Sequence, residues 1–241
     1  MVEYIYPLIS TITSGAFTVA LVIQYIKRRK IHQLIWSISL FMFFLTTLFE
    51  FLAAYYYTSN PGSLGWTPLM YKLYYVLTPP MVALMGTGSL YLLINKPYGK
   101  IMLIYTIILT IPLFALGLTA DVAGALETAI KEVGGTEIAG AAMPSYVRIF
   151  SPMMTIPGGI FLIVGALYSF WLDKTRKYNL LVALGGLFPF IGGLRARFGM
   201  YEAFYFLELI GIVILFTGFL LSWEYIVKRE ALGKVEKAVT T

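Results

Sequence analysis

YIYPLISTITSGAFTVALVIQYIKRRKIHQLIWSISLFMFFLTTLFE, residues 4–50, decides the fold. Two apolar runs flank four consecutive basic residues, Lys27-Arg28-Arg29-Lys30. Each run reaches the ~20 residues that cross a bilayer at ~1.5 Å per residue. Glu3 stands before the first run and the basic cluster follows it. A signal peptide has the opposite polarity, with its positive charge ahead of the apolar core. The stretch therefore reads as a span, a basic cytoplasmic stop and a second span.

The pattern continues along the chain. Apolar runs predict seven spans, at 4–26, 34–57, 68–94, 101–119, 146–171, 179–198 and 203–226. Of the 241 residues, 59% are hydrophobic and only 12% are charged. Soluble domains carry about 25% charge, so lipid must cover the apolar excess here. The expected fold is all-α, a polytopic seven-transmembrane-helix bundle forming one domain over 1–241, with the lipid bilayer as its surroundings and the cell membrane as its place.

The basic residues alternate between connections. Loop one holds Lys27, Arg28, Arg29 and Lys30, loop three Lys96 and Lys100, and loop five Lys174, Arg176 and Lys177. The tail holds Lys228, Arg229, Lys234 and Lys237. The positive-inside rule puts these in the cytoplasm, so the N-terminus is expected outside and the C-terminus inside. The net charge of +6 thus reads as topology and not as a nucleic-acid surface. The one long connection, 120–145, contains DVAGALETAIKEV (121–133), whose apolar residues recur at helical spacing. A short amphipathic helix on the outer membrane surface is expected there, ended by Gly134-Gly135 and serving as a connector or as a lid over a ligand site.

Ionisable groups inside spans are costly and mark function by default. Glu50, Arg195 and Glu208 stand out, all within the outer third of the bilayer by residue count. They are expected either to form an ion pair that fixes helix order or to line an outer cavity. Tyr75 and Tyr205 join them as candidate ligand-binding residues, among further polar groups at that depth: Tyr71, Lys72, Tyr74, Thr78, Arg148 and Glu202. Prolines punctuate the spans at Pro79-Pro80, Pro112, Pro152, Pro157 and Pro189, where kinks are expected. No catalytic set, metal site or cofactor is expected. There is no cysteine, and the single histidine, His32, cannot build a bis-His haem or His-rich zinc site.

Two patterns carry a family resemblance. One is the basic cluster followed by a span with Trp and a late Glu (27–50), then the Pro-containing YYVLTPPMVALMGTGSLYLL (74–93). The other is YNLLVALGGLFPFIGG (178–193). Together they resemble the seven-helix sensor domains that precede many prokaryotic histidine kinases. The resemblance implies a receptor-like module that senses a small ligand or the membrane and passes a signal to the cytoplasm. The tail of 228–241 has no room for a kinase, so a separate cytoplasmic partner is expected. A fainter resemblance is to microbial rhodopsins, on Leu77-Thr78-Pro79-Pro80 and Glu208. Ile212 stands where their retinal lysine would be, so covalent retinal is not expected. Two alternatives are a non-catalytic subunit of a larger membrane complex and a small-molecule transporter.

Overall fold

A computed structural model describes residues 4–93, 96–201 and 203–239. Glu3 and Glu202 lie outside the described residues, as do the side chains of Lys96, Lys228, Arg229, Lys234 and Lys237. Within the described residues all regular structure is helical. The helices are α1 (Ile5–Arg28), α2 (Ile31–Ser59), α3 (Pro68–Leu93), α4 (Lys96–Thr119), α5 (Ala123–Val133), α6 (Ser145–Arg148), α7 (Phe150–Leu172), α8 (Tyr178–Arg197) and α9 (Phe204–Val239).

Among the described residues, six stretches are long and apolar enough to cross a membrane: α1, α2, most of α4, α6 with α7, α8, and α9 as far as Tyr225. The chain is thus a multi-pass membrane protein. Helix α3 is enclosed by its neighbours. It lies against α2, α4 and α7 at once, and between Tyr71 and Leu90 only Lys72, Leu73, Leu77, Thr78 and Val82 are not buried. A helix enclosed by protein needs no lipid-facing apolar stripe, so Tyr, Thr, Ser and Gly are tolerated on it.

Helices α1, α2, α3, α7, α8 and α9 pack successively and close into a ring, because α9 also packs on α1. Helix α4 stands outside the ring against α3 and exposes Ile101, Ile104, Ile107, Ile108 and Ile111. A run of exposed isoleucines on one helix is a surface for lipid chains and not for water. Small residues set the tightest crossing. Gly86 of α3 meets the backbone of Gly158 of α7, and a Cβ on Gly158 would stand 2.5 Å from the Val82 carbonyl oxygen. That backbone approach is open only to glycine.

The first turn is tighter than the apolar pattern suggests. Arg29 takes the left-handed conformation at φ 53° and caps α1, and α2 starts at Ile31 and not at 34. Helix α9 continues to Val239, past the apolar limit at 226. Residues 227–239 are rich in Ala, Glu, Lys and Val without proline, so helix propensity carries on where hydropathy stops.

The amphipathic helix of the long connection forms at α5, and Gly134 caps it at φ 69°. Its apolar face is not laid on a membrane surface. Leu126, Ala129 and Ile130 are buried in the same cluster as Trp66, Tyr71, Tyr74 and Val147. The connection therefore caps one end of the bundle. Burying three apolar side chains against protein satisfies the helix without any lipid. The opposite end carries the 27–30 and 174–177 connections and is called the basic end.

Candidate functional site

Three proline-containing helices border a common space. Pro79 of α3 and Pro189 of α8 line a cavity of about 180 Å³, and Pro157 of α7 lies next to its lining residue Ile156. A proline ring cannot donate the backbone hydrogen bond of its turn and pushes the preceding turn open. Pro79 and Pro80 together remove the donors for the Tyr75 and Val76 carbonyls, and one residue before them the Thr78 hydroxyl donates to the Tyr74 carbonyl at 2.8 Å. Gly159, Gly185, Gly186, Gly193 and Gly211 also line the space. At Gly159, Gly185, Gly186 and Gly211 a Cβ would meet a neighbouring residue within 2.8 Å, so these glycines let the lining helices pack closely, and only Gly193 has open space beside it. The wall is mostly apolar, with Met81, Met85, Leu162, Phe190, Ile212 and Leu215 toward mid-bundle.

The polar groups gather toward the cap. Glu208 of α9 reaches the cavity wall, and Glu50 of α2 faces it from behind with Tyr74 alongside. Glu50 is 1% exposed and Glu208 8%. Neither oxygen of Glu50 has a hydrogen bond of good geometry. Tyr205 stands next to both acids, and Glu137 of the cap adds a third carboxyl nearby. Two ionised carboxylates in contact repel, whereas a proton shared between them makes a hydrogen bond.

Arg195 does not take the place that the residue count suggested. It forms no ion pair with Glu50 or Glu208, and it is not part of the cavity wall. Its Nε is buried without a hydrogen-bond partner among the described residues. The arginines that reach the cavity are Arg148 and Arg197, which flank Tyr75 together with Ser151. Arg197 is next-neighbour-but-one to Arg195, so equal depth on a helix left the facing side undetermined: two residues apart means ~200° around the axis. Lys72 turns outward and donates to the Leu118 carbonyl at 3.2 Å, closing the end of α4.

The cap is pinned over the acids by buried tyrosine and tryptophan. Trp66 Nε1 donates to the Thr136 carbonyl at 3.0 Å and Tyr205 donates to the same oxygen at 2.9 Å. Tyr71 donates to the Ala139 carbonyl at 2.9 Å and accepts from the Ala142 N–H at 3.1 Å. Ala139 is held at φ 41°, an uncommon conformation for a residue with a Cβ, next to the cavity it lines. Tyr75 packs against Gly140, where a Cβ would stand 2.8 Å from the ring. The charges on α5 are not part of this site. Lys131 bonds Glu127 at 2.6 Å on the surface and holds that carboxyl below its ordinary range.

Of the five expected site residues, Tyr75 and Glu208 line the cavity, Glu50 and Tyr205 stand behind Glu208, and Arg195 is elsewhere. The residues the sequence did not single out as site members are Tyr74, Glu137, Arg148 and Arg197. Tyr74 and Arg148 had the right depth, but the cap loop that carries Glu137 folds inward by tertiary contacts with no local signature. Compared with family models, curated proteins and solved structures, the chain matches none.

Proposed function

We propose that this chain is a seven-span, receptor-like sensor module of the cell membrane. The buried α3 is the seventh span, the N-terminus is outside, and the basic end faces the cytoplasm. A small amphipathic ligand would occupy the α3–α7–α8–α9 cavity. The observation that carries the reading is the cavity itself: an apolar wall with a few convergent polar groups, enclosed between helices. Its apolar body would lie on Met81, Met85, Leu162 and Ile212. An anionic head would face Arg148 and Arg197, with a donor toward Glu208. The prolines within three of the lining helices would give the ligand a mechanical connection to the basic loops, where a separate cytoplasmic partner would receive the signal.

The test is a thermal-shift screen of amphipathic acids and amino acids on the full chain in nanodiscs. A ligand should stabilise the wild type and lose most of that effect in Arg148→Ala and Glu208→Gln. A hit that stabilises all three equally would remove the cavity from the account.

One observation favours a second reading, a small-molecule transporter. A further cavity of about 150 Å³ opens at the basic end between the same helices. Along α3, α7 and α9 the two cavities are separated by one turn, from Met85 to Ser89, Leu162 to Ala166 and Leu215 to Phe219. That is ~6 Å of apolar packing. Substrate flux into proteoliposomes would favour the transporter.

A further inference from the structure

The cavity at the basic end has a different chemistry. Its wall holds Gln24, Gln33, Ser89, Ser169, Asn179 and Ser222, with Arg28, Lys30 and His32 at its edge. Gln33 is only 4% exposed, and its Oε1 is buried without a hydrogen-bond donor. A buried amide oxygen left unpaired costs ~1–3 kcal/mol, so it calls for a donor that the described residues do not supply. The Trp36 N–H on the next turn of the same helix also lacks a partner, with its ring edge packed over Gly88.

Two helices begin at this cavity. Helix α2 starts at Ile31 and α8 at Tyr178, and His32, Gln33 and Asn179 of their first turns line the wall. Neither start has a side-chain cap or an acidic residue in its first turn. Helix N-termini carry partial positive charge and are normally complemented by Asp, Glu or Ser. Here the preceding residues are Lys30 and Lys177, which add positive charge. Asp173, the nearby acid of the α7–α8 connection, is taken up by Thr175 and by Arg176 at 3.0 Å and is not in the wall. Lys27 is drawn away over the Trp223 ring.

We propose that this cavity binds a hydroxylated phosphate anion. The phosphate would lie at the α2 and α8 N-termini beside Lys30, and a hydroxyl of its polyol would donate to Gln33 Oε1. The same chemistry is offered by a free polyol phosphate and by a phosphoglycerol lipid headgroup. The site does not depend on what occupies the cavity under the cap.

The full chain in nanodiscs is tested in two arms. In the first, sn-glycerol 3-phosphate is titrated calorimetrically into phosphatidylcholine nanodiscs. In the second, lipid retained on the protein is read by native mass spectrometry from mixed phosphatidylglycerol and phosphatidylcholine discs. Binding in the first arm identifies a soluble ligand, and selective phosphatidylglycerol retention identifies a lipid; either upholds the site. Gln33→Leu should weaken whichever binding is seen about five- to tenfold. Lys30→Gln should weaken it severalfold and flatten its salt dependence. Gln33→Glu, which places a second anion against the phosphate, should abolish it. No binding in either arm, or binding unchanged by Gln33→Leu and Gln33→Glu, overturns the proposal.

Discussion

Replacing Glu50 by glutamine distinguishes the arrangement seen here from the ion pair expected at that depth. Glu50 faces Glu208 in the bundle interior, and neither of its oxygens has a good hydrogen bond. A glutamine at 50 has nearly the same shape but carries an N–H₂ group. It can donate to the Glu208 carboxyl without any shared proton, and it removes one of two like charges. A hydrogen bond to a charged group contributes ~1.5–3 kcal/mol. For a chain of this size that is an apparent Tm increase of roughly 3–12 °C. Glu50→Gln should therefore be more stable than wild type, measured by thermal unfolding in matched nanodiscs without ligand. If Glu50 were salt-bridged to Arg195, the same substitution would leave a buried guanidinium unpaired and cost ~3–5 kcal/mol. A clear fall in Tm would refute the carboxyl pair. Under the sensor reading, the stabilised variant should also respond less to ligand, because a destabilising group kept in the interior is kept for use.

Gly158→Ala should cost ~1–3 kcal/mol or more in a denaturation assay, since its Cβ meets the α3 backbone. Gly124→Ala in α5, with nothing within 4 Å, should instead gain ~0.5–1 kcal/mol. Trp66→Phe and Tyr205→Phe each remove one donor from the Thr136 carbonyl and should each cost ~1 kcal/mol. Both should speed hydrogen exchange selectively in the cap at 134–142. Asp173→Asn should lower Tm slightly at neutral pH, because bonds from Thr175 and Arg176 hold that carboxyl below its ordinary range. A depressed carboxylate stabilises above its unfolded value and loses that contribution as pH falls through its folded value. The gap between variant and wild type should therefore close in acid.

The helices were legible because hydropathy is a one-dimensional signal: each apolar run became helical near its expected place, although α9 runs on to Val239 and the run at 146–171 is divided between α6 and α7. Helix α3 is the instructive case. Its Tyr71, Tyr74 and Tyr75 stand out in the sequence as polar groups at one depth, and all three are buried. Its enclosure by α2, α4 and α7 explains the burial. Depth alone put Glu50 and Glu208 together, but it also suggested Arg195, whose neighbour Arg197 faces the cavity. Which side of a helix looks inward depends on crossing angles set by Gly86, Gly158 and Gly185, and residue counting does not contain them. The cap was legible as a helix, with a lid as one of two readings, but it was placed on the membrane surface and not against the bundle. Its contacts run through Thr136 and Ala139 carbonyls, backbone groups without sequence identity.

The central claim is that the space under the cap is a hollow reached from outside. The chain has no cysteine, so a single cysteine can be read without background. Thr155 lines the cavity, and Thr155→Cys should react with a membrane-impermeant maleimide added to intact cells. Lys174→Cys at the basic end should react only after permeabilisation. Thr155→Cys that stays unlabelled from outside, or labels only from the cytoplasmic side, would contradict the account.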